Sequence, residues 1–273
     1  MQNKAPNSQS PQWVKALKFF VKAFRNPEPA RCKHSALRQL LLRPLPFELI
    51  GTLLQMFDIV RMQTPAPADN KGEDPFYIRW RTYNQDRTSR NVIATGRAAQ
   101  NLLPALVLPQ RDLSAEKLLV IGPRTVQELY QCWLFNYQWK NIHAIDLNST
   151  NPKISVMNME NMEFADASFD SVLSSNTLTY AKDLGGCLKE VARVLKPGGR
   201  LSFTHSFYPE ADTLPTMRIP GEKLMGYLRE AGLRPYYHQV TEAINTLGGH
   251  QTAHHIAAQK LDPQNPPHDP IKW

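Results

Sequence analysis

Asp146 closes the short apolar run Ile142–Asp146 (IHAID), and its type and place suggest chemistry directly. A carboxylate at the end of a buried strand is a short, ionised hydrogen-bond acceptor. The histidines are a weaker signal. His250, His254 and His255 contain an H-x-x-x-H spacing that on a helix would set two imidazoles on one face for a metal. The segment reads as a strand instead, which turns His254 and His255 to opposite sides, and no Glu follows His250, so no metal centre is expected. Cys32, Cys132 and Cys187 form neither a C-x-x-C pair nor an even set, which removes a disulfide scaffold and a zinc knuckle and fits a reducing, cytoplasmic setting. In Phe76–Arg90 the aromatics Tyr77, Trp80 and Tyr83 alternate with Arg79, Arg81, Arg87 and Arg90. That pattern can stack on bases, but over so short a stretch cation–π packing on the protein itself is the favoured reading, with a lip over a substrate pocket as an alternative, and nucleic acid is not an expected partner.

These groups sit in a chain of 273 residues that is 42% hydrophobic and 21% charged, a composition that excludes collagen, coiled coils and wholesale disorder. The net charge of +8 is local. Residues 1–50 hold nine Lys/Arg against Glu28 and Glu48, whereas the remaining 23 basic and 22 acidic residues nearly cancel. Within this arm Lys15, Lys18, Lys22 and Arg25 form one helical stripe, opposite Trp13, Leu17, Phe20, Val21 and Phe24. A basic amphipathic helix over 13–25 suits a peripheral contact with an anionic membrane, and equally a helix docked on the protein's own body with a solvated lysine face. Lysines interrupt any signal-peptide core, while the lack of an acid before Glu28 leaves organellar targeting open. The apolar stretches Leu37–Leu42 and Phe47–Val60 are too short or too charged to span a bilayer.

Gln63–Pro75 carries three prolines and reads as a linker, so residues 1–75 form a basic helical arm and Pro-rich linker, 76–261 the main domain and 262–273 a flexible Pro-rich tail. After a helix over 91–108, strands are expected at 117–121, 142–146, 154–157, 169–175 and 200–203, with helices at 126–139 and 183–195 between them. Thr125 is the expected N-cap of the first, and Pro197-Gly198-Gly199 the terminator of the second. A helix over 222–231 and two strands, 234–240 and 252–260, complete an α/β domain with an antiparallel edge addition.

The run NMENMEFADASFD (158–170), then SVLSSNTLTY and EVARVLKPGGRLSF, resembles the second half of class I S-adenosylmethionine-dependent methyltransferases, particularly the small-molecule type. The resemblance covers about residues 94–261. It implies a Rossmann-like seven-stranded sheet whose last strand is antiparallel, with S-adenosylmethionine across the carboxyl ends of the first strands. By the same resemblance Asp146 takes both ribose hydroxyls and Asn158 the adenine amine, while Met159 and Glu160 flank the base, Glu160 through its backbone. Asn176 and Thr177 form the floor of the transfer site. Asn176, Tyr180, His205 and Tyr208 are placed on the loops after the fourth and fifth strands, with His205 the base if one is needed.

The first loop departs from the family pattern. Of its glycines only Gly122 remains, followed by Pro123 and Arg124, and the missing ones are positions where bare backbone approaches the cofactor. Arg124 either pairs with the methionyl carboxylate or fills the pocket. Two readings are therefore open: methyl transfer to a small-molecule or lipid-like acceptor, or a non-catalytic methyltransferase-like module that binds a protein partner or membrane through the basic arm. A nicotinamide-dependent dehydrogenase needs its own glycine fingerprint, which is absent.

Overall fold

The computed structural model describes residues 36–41, 46, 49–54, 56–57, 74–79, 81–82, 112–123, 125–149, 151–208, 215–244 and 250–264. The expected helices over 13–25 and 91–108, residues 63–73 of the linker, Arg124 and the end of the tail lie outside them.

Strand β1 (Leu118–Ile121) is the centre of the molecule. Its four residues are all buried, as a strand covered on both faces requires, and alternate sides: Leu119 and Ile121 enter one apolar cluster, Leu118 and Val120 the other. Helix α1 (Ala36–Leu41) belongs to the arm. Helix α2 (Val126–Leu134) covers the second cluster through Leu129 and Cys132. Helices α3 (Leu184–Val194) and α4 (Gly221–Glu230) cover the first through Leu188, Val191, Leu224 and Leu228. Each such fully buried leucine or valine contributes about 1.5–3 kcal/mol, so the two layers hold the sheet from both sides.

With β2 (Ile142–Asp146), β3 (Ser155–Val156), β4 (Phe169–Ser174), β5 (Leu195–Phe207), β6 (Leu233–Ile244) and β7 (His250–Lys260), the sheet has seven strands in the order β3-β2-β1-β4-β5-β7-β6. The pairs from β3 through β5 are parallel, and β7 is antiparallel to both β5 and β6. The two final strands extend the edge of the parallel sheet, the last strand being antiparallel as expected, inserted between β5 and the edge strand β6.

Two details differ from the sequence reading. Helix α2 ends at Leu134, and Trp139–Asn141 is a separate 3-10 turn. Pro197-Gly198-Gly199 does not end a helix: α3 passes directly into β5 at Leu195, and residues 196–199 loop out of the ladder between the pairs Phe169↔Leu195 and Ser171↔Arg200. Thr125 occupies the N-cap position with extended backbone but makes no side-chain capping bond. Under the outer rim of the sheet Arg200, 1% exposed, forms an ion pair with the buried Glu116, whose carboxylate also accepts from Ser171 Oγ at 3.5 Å.

The arm rests on the outer side of α2. Leu41, Ile50 and Leu54 pack against Tyr130, Trp133 and Leu134. Residues 49–54 and 56–57 are helical, and Gly51 lets this segment approach closely, because a Cβ there would stand 2.6 Å from Gln127 Nε2.

Candidate functional site

The sheet reverses its winding direction at β1, which lies between β2 and β4, so the crevice of an open α/β sheet falls at the carboxyl ends of these strands. Four residues that the sequence singles out end up there on adjacent strands. The registers Ile121↔Ile145, Ile121↔Ser174 and Asp146↔Val156 bring the ends of β1, β2, β3 and β4 level, and strands in one sheet stand about 4.8 Å apart. Gly122, Asp146, Asn158 and Asn176 therefore line one rim.

Gly122 is held by its own N–H, which donates to Ile145 O at 2.8 Å, and by its carbonyl, which accepts from Thr177 Oγ1 at 3.1 Å. Its φ is +68°, and an added Cβ would come within 2.2 Å of Thr177 Oγ1. This one glycine is therefore required twice, by its left-handed backbone and by the threonine packed on it. Asn176 also has a positive φ, +62°, which asparagine tolerates better than most residues. Its conformation is fixed by a network: Asn176 Oδ1 accepts from Ser206 Oγ at 2.7 Å and from Thr179 Oγ1 at 3.2 Å, and Thr179 Oγ1 in turn accepts from Ser206 N at 3.2 Å. Thr216 Oγ1 ties the same turn to the next element by donating to Thr179 O at 2.8 Å. With the amide oxygen occupied, Asn176 offers the crevice its donor end.

Asp146 is half-buried, and one carboxylate oxygen accepts from Asn148 N at 3.1 Å, which orients the group at the strand end. Asn158 Oδ1 accepts from Glu160 N at 3.0 Å, leaving its second lone pair for a ligand. Met159 is 7% exposed and packs into the apolar cluster beneath the crevice. Glu160 engages its side chain within the protein. Its carboxylate is a junction that accepts from Asp183 N at 2.7 Å and from the Tyr77 hydroxyl, and Lys182 Nζ pairs with Asp74 at 2.6 Å. Residues 75–79 and 81–82 are helical, and Tyr77 and Asp74 fasten this segment to Glu160 and Lys182. Burial, with the bond to Glu160 second, pushes the Tyr77 phenol up to about 12, so it stays a donor at neutral pH.

His205 is corrected in place. The sequence puts it on a loop after the fifth strand, but β5 runs on to Phe207 and His205 lies inside it, with 0% exposure and no hydrogen-bond partner for either ring nitrogen. Burial, followed by the influence of His254, its cross-strand neighbour, pushes its pKa down to about 4. Tyr180 ends the 3-10 turn Leu178–Tyr180 and is half-buried; Tyr208 donates its N–H to Met217 O at 2.8 Å. His254 and His255 do point to opposite faces of β7, the first to His238 at 3.0 Å, the second to Thr204 and Thr241 at 3.1 Å each. Among the described residues no cluster of three or more His, Cys, Asp or Glu is arranged to hold a metal.

The fold and rim define a doubly wound α/β domain with a crevice at its switch point. A methyltransferase-domain family model matches residues 124–203, beginning just after the departing Gly122-Pro123 turn. The O-methyltransferase resE of Aspergillus sclerotiorum is 37% identical over 90 residues, 28% of this chain and 34% of that protein. The chain spans only 20% and 34% of the length of two curated relatives it matches. Among solved structures, phosphoethanolamine N-methyltransferase 2 of Haemonchus contortus in complex with S-adenosyl-L-methionine superposes with a TM-score of 0.53 at 15% identity, covering 70% of this chain and 61% of that one. The 1,6-didemethyltoxoflavin-N1-methyltransferase of Burkholderia thailandensis gives 0.50 at 17% identity, covering 73% and 94%. These two share the fold. Residues 124–203 thus match a methyltransferase-domain model, and the α/β domain has the fold of S-adenosylmethionine-dependent methyltransferases.

Proposed function

We propose that this domain transfers a methyl group from S-adenosylmethionine to a small-molecule acceptor seated between the crevice and the segment 74–82. The observation that carries the reading is the convergence of Gly122, Asp146, Asn158 and Asn176 on the carboxyl ends of four adjacent strands. When bound, the cofactor supplies an electrophilic methyl on a sulfonium sulfur, taken in line by a lone pair of the acceptor.

The chain's own residues bind and align. Asp146 accepts from a pair of ribose hydroxyls, a charge-assisted contact that its strand-end position favours. Asn158 uses its remaining lone pair toward the adenine amine, and the bare Cα of Gly122 leaves room for the ligand to approach. Arg124, next in the sequence, is the residue whose guanidinium would pair with the methionyl carboxylate. Asn176, with Tyr180 beside it, positions the acceptor through its donor end. Tyr77 and Asp74 hold the lip that excludes water. His205 is neutral at pH 7 but a weak proton acceptor, because the pKa best suited to a base lies near the working pH. The acceptor class that fits is one with a neutral lone pair or an easily lost proton.

The test is incubation of the full chain with methyl-labelled S-adenosylmethionine and a panel of small phenols, amines and phospho-amines. Label in the acceptor, lost in Asn176→Ala, supports the reading. Cofactor binding with no label in any acceptor would instead favour the non-catalytic module.

A further inference from the structure

His205, His254 and His238 stand on one face of three adjacent strands. The register pairs His205 with His254 across β5 and β7, so their side chains share a face. His238 on β6 reaches the same side, its Nε2 3.0 Å from His254 Nδ1 and its ring stacked on that of His254 with centroids 5.3 Å apart. His205 is fully buried with neither ring nitrogen partnered, and His254 is buried too. The segment 215–221 closes over this face. Ile219 packs on the apolar cluster that holds Phe203 and Ile256, and Gly221 lies so close to His254 that a Cβ there would stand 2.7 Å from its Cε1. The segment begins with the 3-10 turn Pro215–Arg218, whose Thr216 donates to Thr179 O, and it ends where α4 starts. A cover on three imidazoles is thus tied, through Thr179, to the turn of Asn176.

We propose that these three histidines are an acid-sensitive latch: neutral, they seat the segment 215–221 on the sheet; protonated, they lift it and loosen the rim at Asn176. The geometry leaves little room for charge. The bond between His238 and His254 needs one nitrogen that donates and one that accepts, whereas a doubly protonated pair turns two donors on each other. A cation on His254 would also stand at the amino end of α4, the positive end of its dipole. A proton on His205 would find no acceptor. Burial lowers the pKa of all three, and the charges acting on them are one another's and that of His255, which faces the opposite side toward Thr204 and Thr241. Arg218, Glu222 and Lys223 around the cover and Glu242 on the same side of β6 are all exposed, and Tyr180 and Tyr208 bring no carboxylate, so among the described residues none of these supplies a buried counter-charge. Groups lowered in this way hold the segment fully above about pH 6.5 and release it as the pH falls. The latch stands whether or not the domain transfers methyl groups, because it is read from the closure of the segment itself.

The test is amide exchange of the full chain at about pH 7 and about pH 5.5, read by mass spectrometry and corrected for the intrinsic rate at each pH. Each imidazole that opening returns to its ordinary value near 6.5 raises the open population about eightfold over that interval. Protection over 216–224 and 177–180 should therefore fall at least about eightfold, while β1, β2 and β4 keep theirs. His254→Gln removes the central imidazole and should narrow the drop most. His238→Gln, at a half-buried position, is an independent variant that should narrow it in the same sense. Equal protection at both pH values in the wild type, or a drop that either variant retains in full, overturns the latch. So does a loss shared evenly by every strand, which would be general acid unfolding and not the release of one segment.

Discussion

Replacing Gly122 by alanine puts the crevice to a quantitative test. The new Cβ would lie 2.2 Å from Thr177 Oγ1 and 2.3 Å from Thr177 Cγ2, so the threonine must turn away. An L-residue at φ +68° costs roughly 1–2 kcal/mol. Losing the bond from Thr177 Oγ1 to Gly122 O adds roughly 0.5–1.5 kcal/mol. The sum, about 1.5–3.5 kcal/mol, corresponds to a fall in Tm of about 3–14 °C for a domain of this size. Thermal melts of Gly122→Ala, Thr177→Gly and the double variant separate the two contributions. The contact cost disappears when the threonine side chain is gone, so the two changes should couple by about 1 kcal/mol. The same substitution should weaken S-adenosylhomocysteine binding at least about tenfold, since the turn must shift. A single variant that melts within about 1 °C of the wild type, or strictly additive changes, would show that the turn is not built as described.

Tyr77→Phe removes the hydroxyl that fastens the lip to Glu160. It should raise KM a few-fold and speed proteolysis within 74–82, with a loss of stability of only about 0.5–1.5 kcal/mol. Glu116→Gln leaves the Arg200 guanidinium buried without its counter-charge and should cost about 3–5 kcal/mol by denaturant unfolding, a loss that adding Arg200→Met should largely restore. His205 is held near pKa 4, below the ordinary histidine value, so the unfolded chain takes up its proton first. Its contribution to stability is complete above about pH 6.5 and is lost as the pH falls from there toward 4, roughly 2 kcal/mol of it between pH 7 and 5. His238, His254 and His255, lowered mainly by burial, act in the same sense. Melts at pH 7 and pH 5 should show a smaller difference in His205→Leu than in the wild type; an unchanged difference would remove His205 from this account.

The parallel half of the sheet was legible because each of its strands is a short apolar run ending at a polar residue. Ile142–Asp146 ends at its acid, as the run suggested. The length of β5 was not legible. Thr204, His205 and Ser206 look like loop residues, yet Thr204 bonds His255, Ser206 bonds Asn176, and His205 is simply buried, so tertiary partners decide the strand and local propensity does not. The looping out of Pro197-Gly198-Gly199 was misread for a related reason: the same residues that terminate helices also interrupt ladders. Asn158 and Asn176 were found through family spacing, but Thr179 and Thr216, which hold Asn176, come from positions three and forty residues further on and carry no local signal. The Tyr77–Glu160 junction joins residues 83 apart and carries no local signal.

Calorimetric titration of the full chain with S-adenosylmethionine and S-adenosylhomocysteine, repeated with Asp146→Ala, addresses the cofactor crevice most directly. Saturable one-to-one binding by the wild type is expected, weakened by at least about tenfold, or about 1.4 kcal/mol, when the carboxylate is removed. Wild-type protein that takes up neither ligand at millimolar concentration, or an Asp146→Ala protein that binds as tightly as the wild type, would contradict it.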